Sequence, residues 1–222
     1  MNLRNINKKI GNFTLNVDLE LKKGEIFGLI GKSGSGKSTI LKIIQGLIKP
    51  DSGEVLMDEN VEMAAVFQSF NLLNNKDVYS NVELPLILKK QKDLSKVDKV
   101  LNYVGLLNKK NEYISSLSGG QNQRVAIARA LVSNPDLLLC DEVTASLDKI
   151  NKNEIISLFK KINVDYGTTI LFVTHELDIA KKICDRVAVI ENGKILEIFE
   201  VNKDLEDDKE LTYLEYAKEV LK

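Results

Sequence analysis

The sequence predicts an α/β fold that carries a helical insertion, and three observations lead there. A glycine-rich loop, Gly31-Lys32-Ser33-Gly34-Ser35-Gly36-Lys37-Ser38, stands between an apolar strand-like run and a helical one. Two further runs, Leu137 to Cys140 and Thr169 to Val173, are apolar at nearly every position, as strands buried on both faces of a parallel sheet are. Strands alternate with helices at both ends of the chain, while the middle reads as helical.

Taken in order, Phe13 to Leu21 alternates apolar and polar residues, which marks a half-buried strand. Lys23-Gly24 turns the chain into a buried strand over Glu25 to Ile30, and Thr39 to Ile44 is the helix after the loop. Pro50-Asp51-Ser52-Gly53 is a turn, with short strands near Glu54 to Met57 and Met63 to Phe67. From about Asp77 to Pro135 the pattern is helical, with polar joints at Lys89 to Ser95 and Asn108 to Ser116 and a last helix from near Asn122 to Leu131. Helices follow the strands at Leu137 and Thr169. Arg186 to Ile190, Asn192-Gly193 and Lys194 to Leu196 read as strand, turn and strand. The expected organisation is one domain over residues 1–222, with an α/β core at 1–76 and 136–222 and a helical part at approximately 77–135.

Composition narrows the class. The 31 basic and 32 acidic residues leave a net charge of −1, which gives no electrostatic basis for nucleic acid or an anionic membrane surface. Met1-Asn2-Leu3-Arg4 lacks an apolar signal-peptide core, and no apolar run approaches the ~18 residues of a membrane span. A cytoplasmic protein that reaches a membrane through a partner is expected. Cys140 and Cys184 have no metal-ligand spacing and read as reduced, buried thiols.

The loop Gly31 to Ser38 matches the phosphate-binding pattern G-x-x-x-x-G-K-[ST] at every fixed position. Glycines at 31, 34 and 36 let main-chain N–H groups curl around the β- and γ-phosphates of a nucleotide, and the helix opening at Ser38-Thr39 adds its positive end. Lys32, Ser33 and Ser35 complete the loop, Lys37 supplies a charge to the phosphates, and the Ser38 hydroxyl can ligate Mg²⁺.

Leu117-Ser118-Gly119-Gly120-Gln121 precedes another helix, so Ser118 and Gly120 stand at a second helix N-terminus able to hold an anion; a plain capped loop is the simpler alternative. Asp141-Glu142 ends an apolar strand, where α/β proteins place ligands. Asp141 can hold Mg²⁺ and Glu142 can accept a proton from an attacking water, while an acidic helix cap remains the plain reading for one of them. Asp148, in Ala145-Ser146-Leu147-Asp148, adds a carboxylate close by in sequence. His175, the only histidine, ends the strand Leu171 to Thr174 and can reach a γ-phosphate, although a lone histidine is commonly structural. Gln68, after Ala64 to Phe67, offers a neutral amide to the metal or the lytic water.

This constellation resembles the nucleotide-binding subunits of ABC transporters along nearly the whole chain. The family's phosphate loop, glutamine loop, signature motif, metal-binding strand, D-loop and histidine switch have counterparts here in order. They are Gly31 to Ser38, Gln68, Leu117 to Gln121, Leu137 to Glu142, Ala145 to Asp148, and His175. The resemblance implies a P-loop NTPase core of ABC type with a small antiparallel β subdomain and a helical subdomain. It implies ATP as substrate, Mg²⁺ as cofactor, and a head-to-tail homodimer or paired subunit. In such a dimer each ATP lies between one subunit's phosphate loop and the other's signature motif. It also implies an integral-membrane permease, on whose cytoplasmic face the subunit docks, and a substrate-binding protein if the transporter is an importer.

Phe67-Gln68-Ser69-Phe70-Asn71-Leu72-Leu73, Leu138-Leu139-Cys140-Asp141-Glu142, and Thr174-His175-Glu176 with Ile183-Cys184-Asp185 are most similar to methionine-importer ATPases. Lipoprotein-releasing and macrolide-export ATPases share the glutamine-loop wording and are the alternative. Three departures accompany this likeness. The chain stops soon after Leu196, where methionine-importer ATPases usually carry a regulatory domain, so that domain is expected to be lacking. Few residues separate Met57 from Met63 for a β-subdomain excursion. The adenine-stacking aromatic has Ile10 as its nearest counterpart and Phe13 as the second. Non-transport relatives carry two such domains or long coiled coils, which a single domain with a short helical insert does not suit, and the presence of Glu142 and His175 argues against a non-hydrolysing module.

Overall fold

The computed structural model describes residues 1–91, 93, 95–202, 218 and 221. In chain order the strands are β1 (Asn2–Ile10), β2 (Phe13–Glu20), β3 (Ile26–Ile30), β4 (Ser52–Leu56), β5 (Met63–Phe67), β6 (Leu137–Asp141), β7 (Thr169–Thr174), β8 (Arg186–Glu191) and β9 (Lys194–Glu200). The helices are α1 (Lys37–Ile44), α2 (Val78–Leu88), α3 (Ser95–Tyr103), α4 (Gly119–Leu131), α5 (Lys149–Tyr166) and α6 (Leu177–Ile183). The chain divides into two compact units, Met1–Val61 with Gly167–Lys222, and Glu62–Tyr166.

In the first unit the strands run in the order β4-β1-β2-β9-β8-β3-β7. β3 and β7 are buried along their whole length, which is why their sequences show no polar alternation. β2 buries only Leu15, Val17 and Leu19 and turns the residues between them to solvent, as its alternation predicts. The antiparallel part comes from β1 with β2 and β4, and from β8 with β9. β1 has no counterpart in the sequence-level reading. Its pairing with β2 shifts register between Leu3 and Ile6, and Asn5 in between has φ +48°. The bulge puts the buried residues Leu3 and Ile6 three apart and so erases the strand period.

At the amino ends of β3 and β8, Arg186 Nη1 donates to both carboxylate oxygens of Glu25 at 3.2 Å, and its guanidinium stacks 5.2 Å from the Phe27 ring centre. Glu25 Oε1 also accepts from the Lys22 N–H at 2.6 Å, so this buried carboxylate is fully employed.

In the second unit β5 and β6 pair in parallel. β5 therefore belongs to the parallel layer and not to an antiparallel excursion with β4. α2 starts at Asp77, whose carboxylate accepts from the Ser80 N–H at 2.7 Å. α5 buries Ile155, Ile156, Phe159 and Ile162 along one stripe. α4 begins at Gly119, three residues ahead of the expected Asn122, because Ser118 caps it. The Ser118 hydroxyl accepts from the Gln121 N–H at 3.3 Å, and Gln121 Oε1 accepts from the Ser118 N–H at 3.0 Å. Both cysteines are buried: Cys140 lies in β6 and Cys184 closes α6.

Candidate functional site

The first unit places two of the expected motifs at one edge of its sheet. β3 and β7 are parallel neighbours with Ile30 opposite Thr174. Gly31, where the phosphate loop begins, and His175 therefore leave adjacent strands at their carboxyl ends, where α/β sheets bind ligands. His175 is exposed, and the turn after it is fixed by the Glu176 N–H donating to Thr174 Oγ1 at 3.0 Å.

The loop itself is a closed curl. Lys37 is buried, and its ammonium donates to the Gly31 carbonyl at 2.7 Å and the Lys32 carbonyl at 3.0 Å. The Ser35 N–H returns to the Lys32 carbonyl at 3.2 Å, and the Ser35 carbonyl accepts from Gly193 at 3.0 Å, anchoring the loop on the β8–β9 turn. Gly36, at φ +113°, precedes α1, which has no side-chain cap and no acid in its first turn. A buried ammonium, glycine main chain and an uncapped helix N-terminus form a donor set of one sign, which fits a polyphosphate. Ser33, Gly34 and Ser38 lie on the exposed side of the curl.

Ile10 and Phe13 bracket the β1–β2 turn and pair across it. Ile10 is 43% exposed. Phe13 is half-buried, and its ring borders both Gly36 and Gly193. Of the two stacking candidates, Phe13 borders the phosphate loop at Gly36.

The second unit gathers the remaining motifs. In the β5–β6 pair Phe67 lies opposite Asp141, so Gln68 and Glu142 follow at the same edge. Glu142 adopts φ +49°, an uncommon conformation for a residue with a side chain, and its carbonyl accepts from Ala145 at 3.1 Å in the turn that follows. One open cavity of about 620 Å³ is lined by Gln68, Gly119, Asp141 and Ser146 among others. The structure thus brings together residues of the glutamine-loop, signature, metal-strand and D-loop segments. Within this unit Asp141 and Gln68 offer oxygen donors, and hard oxygen donors are the kind of ligand that suits Mg²⁺.

Asp148 has a structural task of its own. Its carboxylate accepts from the N–H groups of Ile150 and Asn151 at 3.0 Å each and from the Asn151 side-chain amide, which caps α5. These bonds, the Asn151 N–H foremost, hold its carboxyl below the usual aspartate range.

Two side chains that sequence reasoning passed over shape the glutamine loop. Arg129 of α4 donates to the carbonyls of Phe70 and Asn71, and the buried Asn81 of α2 holds Leu73 by both its N–H and its carbonyl. Neither carries a motif signal, since an arginine on a helix and an asparagine among leucines are ordinary in sequence.

The comparisons agree with this geometry. A family model described as "ABC transporter" matches residues 14–145. The chain belongs to the ABC transporter family, and its fold is that of the family's ATP-binding cassettes. It is 46% identical over 205 residues to the methionine import ATP-binding protein MetN of Legionella pneumophila (strain Lens), covering 84% of this chain and 60% of that protein. It is 44% identical over 200 residues to MetN 1 of Staphylococcus epidermidis, covering 82% and 59%. The chain thus spans about 60% of the length of the curated relatives it matches. Among solved structures, the dimeric post-hydrolysis state of the ATP-binding cassette MJ0796 bound to ADP and Pi is 35% identical, with a TM-score of 0.77 over 90% of this chain and 97% of that one. CbiO1 from Clostridium perfringens, part of the ABC transporter complex cbiONQ, is 30% identical with a TM-score of 0.83, covering 90% and 87%.

Proposed function

We propose that this chain is the ATP-hydrolysing subunit of an ABC transporter that imports methionine or a similar amino acid. The observation that carries the ATPase reading is the phosphate loop, where the Lys37 ammonium sits 2.7 Å from the Gly31 carbonyl, in a curl at an uncapped helix N-terminus. The substrate class rests on relatives at 44% and 46% identity that are named for methionine import, which favours it over lipoprotein release or macrolide export.

In this reading the main chain of residues 31–39 and the Lys37 ammonium hold the β- and γ-phosphates. His175 would contact the γ-phosphate, and the residues that would hold Mg²⁺ are Ser38 in the first unit and Asp141 and Gln68 in the second. The chemistry that Mg²⁺ would supply there is neutralisation of the phosphate charge. Glu142 takes a proton from the water whose oxygen bonds to the γ-phosphorus as the bond to the bridging oxygen breaks, leaving ADP and phosphate. Ser118, Gly119, Gly120 and Gln121 complete the site of a second copy, with Asp148 beside them, in a head-to-tail dimer.

A permease partner is supported by exposed apolar residues in the segment from Gln68 to Leu88, where Leu73, Ile87 and Leu88 are 40%, 52% and 74% exposed. Among the described residues no helix is long and apolar enough to cross a membrane, so attachment to the cytoplasmic face would run through that partner. A substrate-binding protein would complete an importer.

The test is reconstitution with a candidate methionine permease in liposomes, measuring MgATP-driven methionine uptake together with ATP turnover. Glu142→Gln is expected to bind ATP normally and lose turnover by about 10²- to 10⁴-fold, whereas Lys37→Ala loses binding. Near-normal turnover in Glu142→Gln would overturn the base assignment. ATP hydrolysis without uptake of any amino acid would overturn the substrate class.

A further inference from the structure

The glutamine loop leaves β5 in a conformation that its residues do not choose by themselves. Phe70 and Asn71, consecutive and neither a glycine, have φ +57° and +51°. Asparagine visits this left-handed region readily, but an aromatic residue does so rarely. The Ser69 hydroxyl donates to Asn71 Oδ1 at 2.8 Å, which braces the turn but engages neither main-chain carbonyl at its apex.

Those two carbonyls converge on one group. Arg129 Nη1 donates to the Asn71 carbonyl at 2.6 Å, and Arg129 Nη2 donates to the Phe70 carbonyl at 2.8 Å. The guanidinium is partly buried, burial holds its pKa below the usual value, and among the described residues no carboxylate pairs with it. A partly buried cation is thus solvated by two carbonyl dipoles, in a fork geometry that a planar guanidinium provides and an ammonium does not. Arg129 lies near the C-terminal end of α4, whose other end carries the Ser118 cap.

We propose that Arg129 is a positioning residue: its fork locks the Phe70-Asn71 backbone in the left-handed turn and thereby fixes where Gln68, two residues upstream, presents its amide. The inference rests on the ATPase reading for its catalytic consequence, but the backbone lock stands on geometry alone. Nucleotide affinity, which belongs to the phosphate loop, is untouched by it. What it controls is the placement of one amide, and a misplacement of about 1 Å at a reacting centre can reduce a rate on the order of a hundredfold.

The experiment compares wild type, Arg129→Gln, Arg129→Lys and the double variant Arg129→Gln/Phe70→Gly. It measures steady-state ATP turnover and amide hydrogen exchange over residues 68–73. For Arg129→Gln we expect kcat to fall about 10- to 100-fold with KM for ATP within about twofold, and exchange in the loop to rise. Arg129→Lys recovers little of either. The added glycine, which adopts a left-handed φ without strain, restores kcat several-fold in the double variant, an effect that repairing a packing defect at position 129 would not produce. Unchanged loop exchange in both Arg129→Gln and Arg129→Lys overturns the lock, as does a double variant no more active than Arg129→Gln. Should Arg129→Gln fail to fold, Arg129→Lys decides on the exchange arm. A wild-type protein without ATP turnover would instead overturn the proposed function, leaving the exchange result to judge the lock.

Discussion

The ring of Phe13 occupies the space that a side chain at Gly36 would need. A Cβ on Gly36 would stand 2.9 Å from Phe13 Cζ and 2.9 Å from Leu15 Cδ1, and Gly36 has φ +113°. The hairpin that carries the stacking candidates is therefore packed directly under the phosphate loop. Gly36→Ala should deform the loop on both counts, by backbone strain and by overpacking, each worth roughly 1–3 kcal/mol. Loss of ATP affinity by at least about tenfold is expected, at about 1.4 kcal/mol per decade. Gly34→Ala, at φ +79° with nothing within 4 Å of the added carbon, carries the strain alone and should lose less. Titration with a fluorescent nucleotide analogue ranks the two, and equal losses would contradict the packing argument.

At Ile10 the hairpin presents an aliphatic side chain that is 43% exposed. A branched alkyl group offers the adenine no π-face, so base identity should contribute little to affinity. ATP and GTP are then hydrolysed at comparable rates. Ile10→Tyr should add a stacking surface worth roughly 1–3 kcal/mol and lower KM for both nucleotides alike, since either purine offers a π-face. Strict ATP preference in the unmodified protein would mean that another group holds the base.

Asp148 makes α5 sensitive to acid. Its folded-state pKa is depressed because the Asn151 N–H, the Asn151 side chain and the Ile150 N–H all donate to the ionised carboxylate. A depressed pKa means that the folded state binds fewer protons than the unfolded one. The stabilisation is therefore present above about pH 3.9, the ordinary aspartate value, and fades as pH falls through the lower folded value. Asp148→Asn keeps an oxygen acceptor but no charge. Its melting temperature should fall below that of wild type at neutral pH, with the gap closing in acid. A gap that does not change with pH would refute the charge argument.

Asn81 is fully buried and spends its amide on three bonds: from the Leu73 N–H at 2.7 Å, to the Leu73 carbonyl at 3.1 Å and to the Asp77 carbonyl at 2.9 Å. Asn81→Leu leaves the buried Leu73 N–H without its acceptor, while the Leu73 and Asp77 carbonyls keep the Lys76 and Asn81 N–H groups as donors, at a cost of about 1–3 kcal/mol. Urea unfolding should show a lower midpoint with an unchanged slope. A neutral effect would mean that water replaces the amide.

How much of this was legible in the sequence depended on whether one local rule decided the matter. The strand before the phosphate loop, the loop and α1 were readable because glycine spacing, apolar runs and a helix start coincide over residues 25–44. β1 was not, because the bulge at Asn5 leaves Leu3, Ile6 and Ile10 at spacings of three and four, which imitate a helix. The start of α4 was placed three residues late because two glycines read as loop, although Ser118 and Gln121 spell a capping box. At the candidate site, Gln68, Asp141 and Glu142 could be named from their place at strand ends. The ties from Arg129 and Asn81 could not, since each spans a distance in sequence that only the folded chain closes.

Gly120 of the signature segment is buried, and a Cβ there would stand 2.8 Å from Cγ of Asn151, the residue whose amide holds Asp148. Two motifs separated in sequence are thus fitted to each other through one missing side chain. In genetic terms the pair should behave as a single locus: damage at Gly120 would select second-site revertants at position 151, and an allele combining alanine at 120 with a residue smaller than asparagine at 151 would survive where Gly120→Ala alone does not. A revertant screen starting from Gly120→Ala would map the contact between signature and D-loop segments without any biochemical measurement.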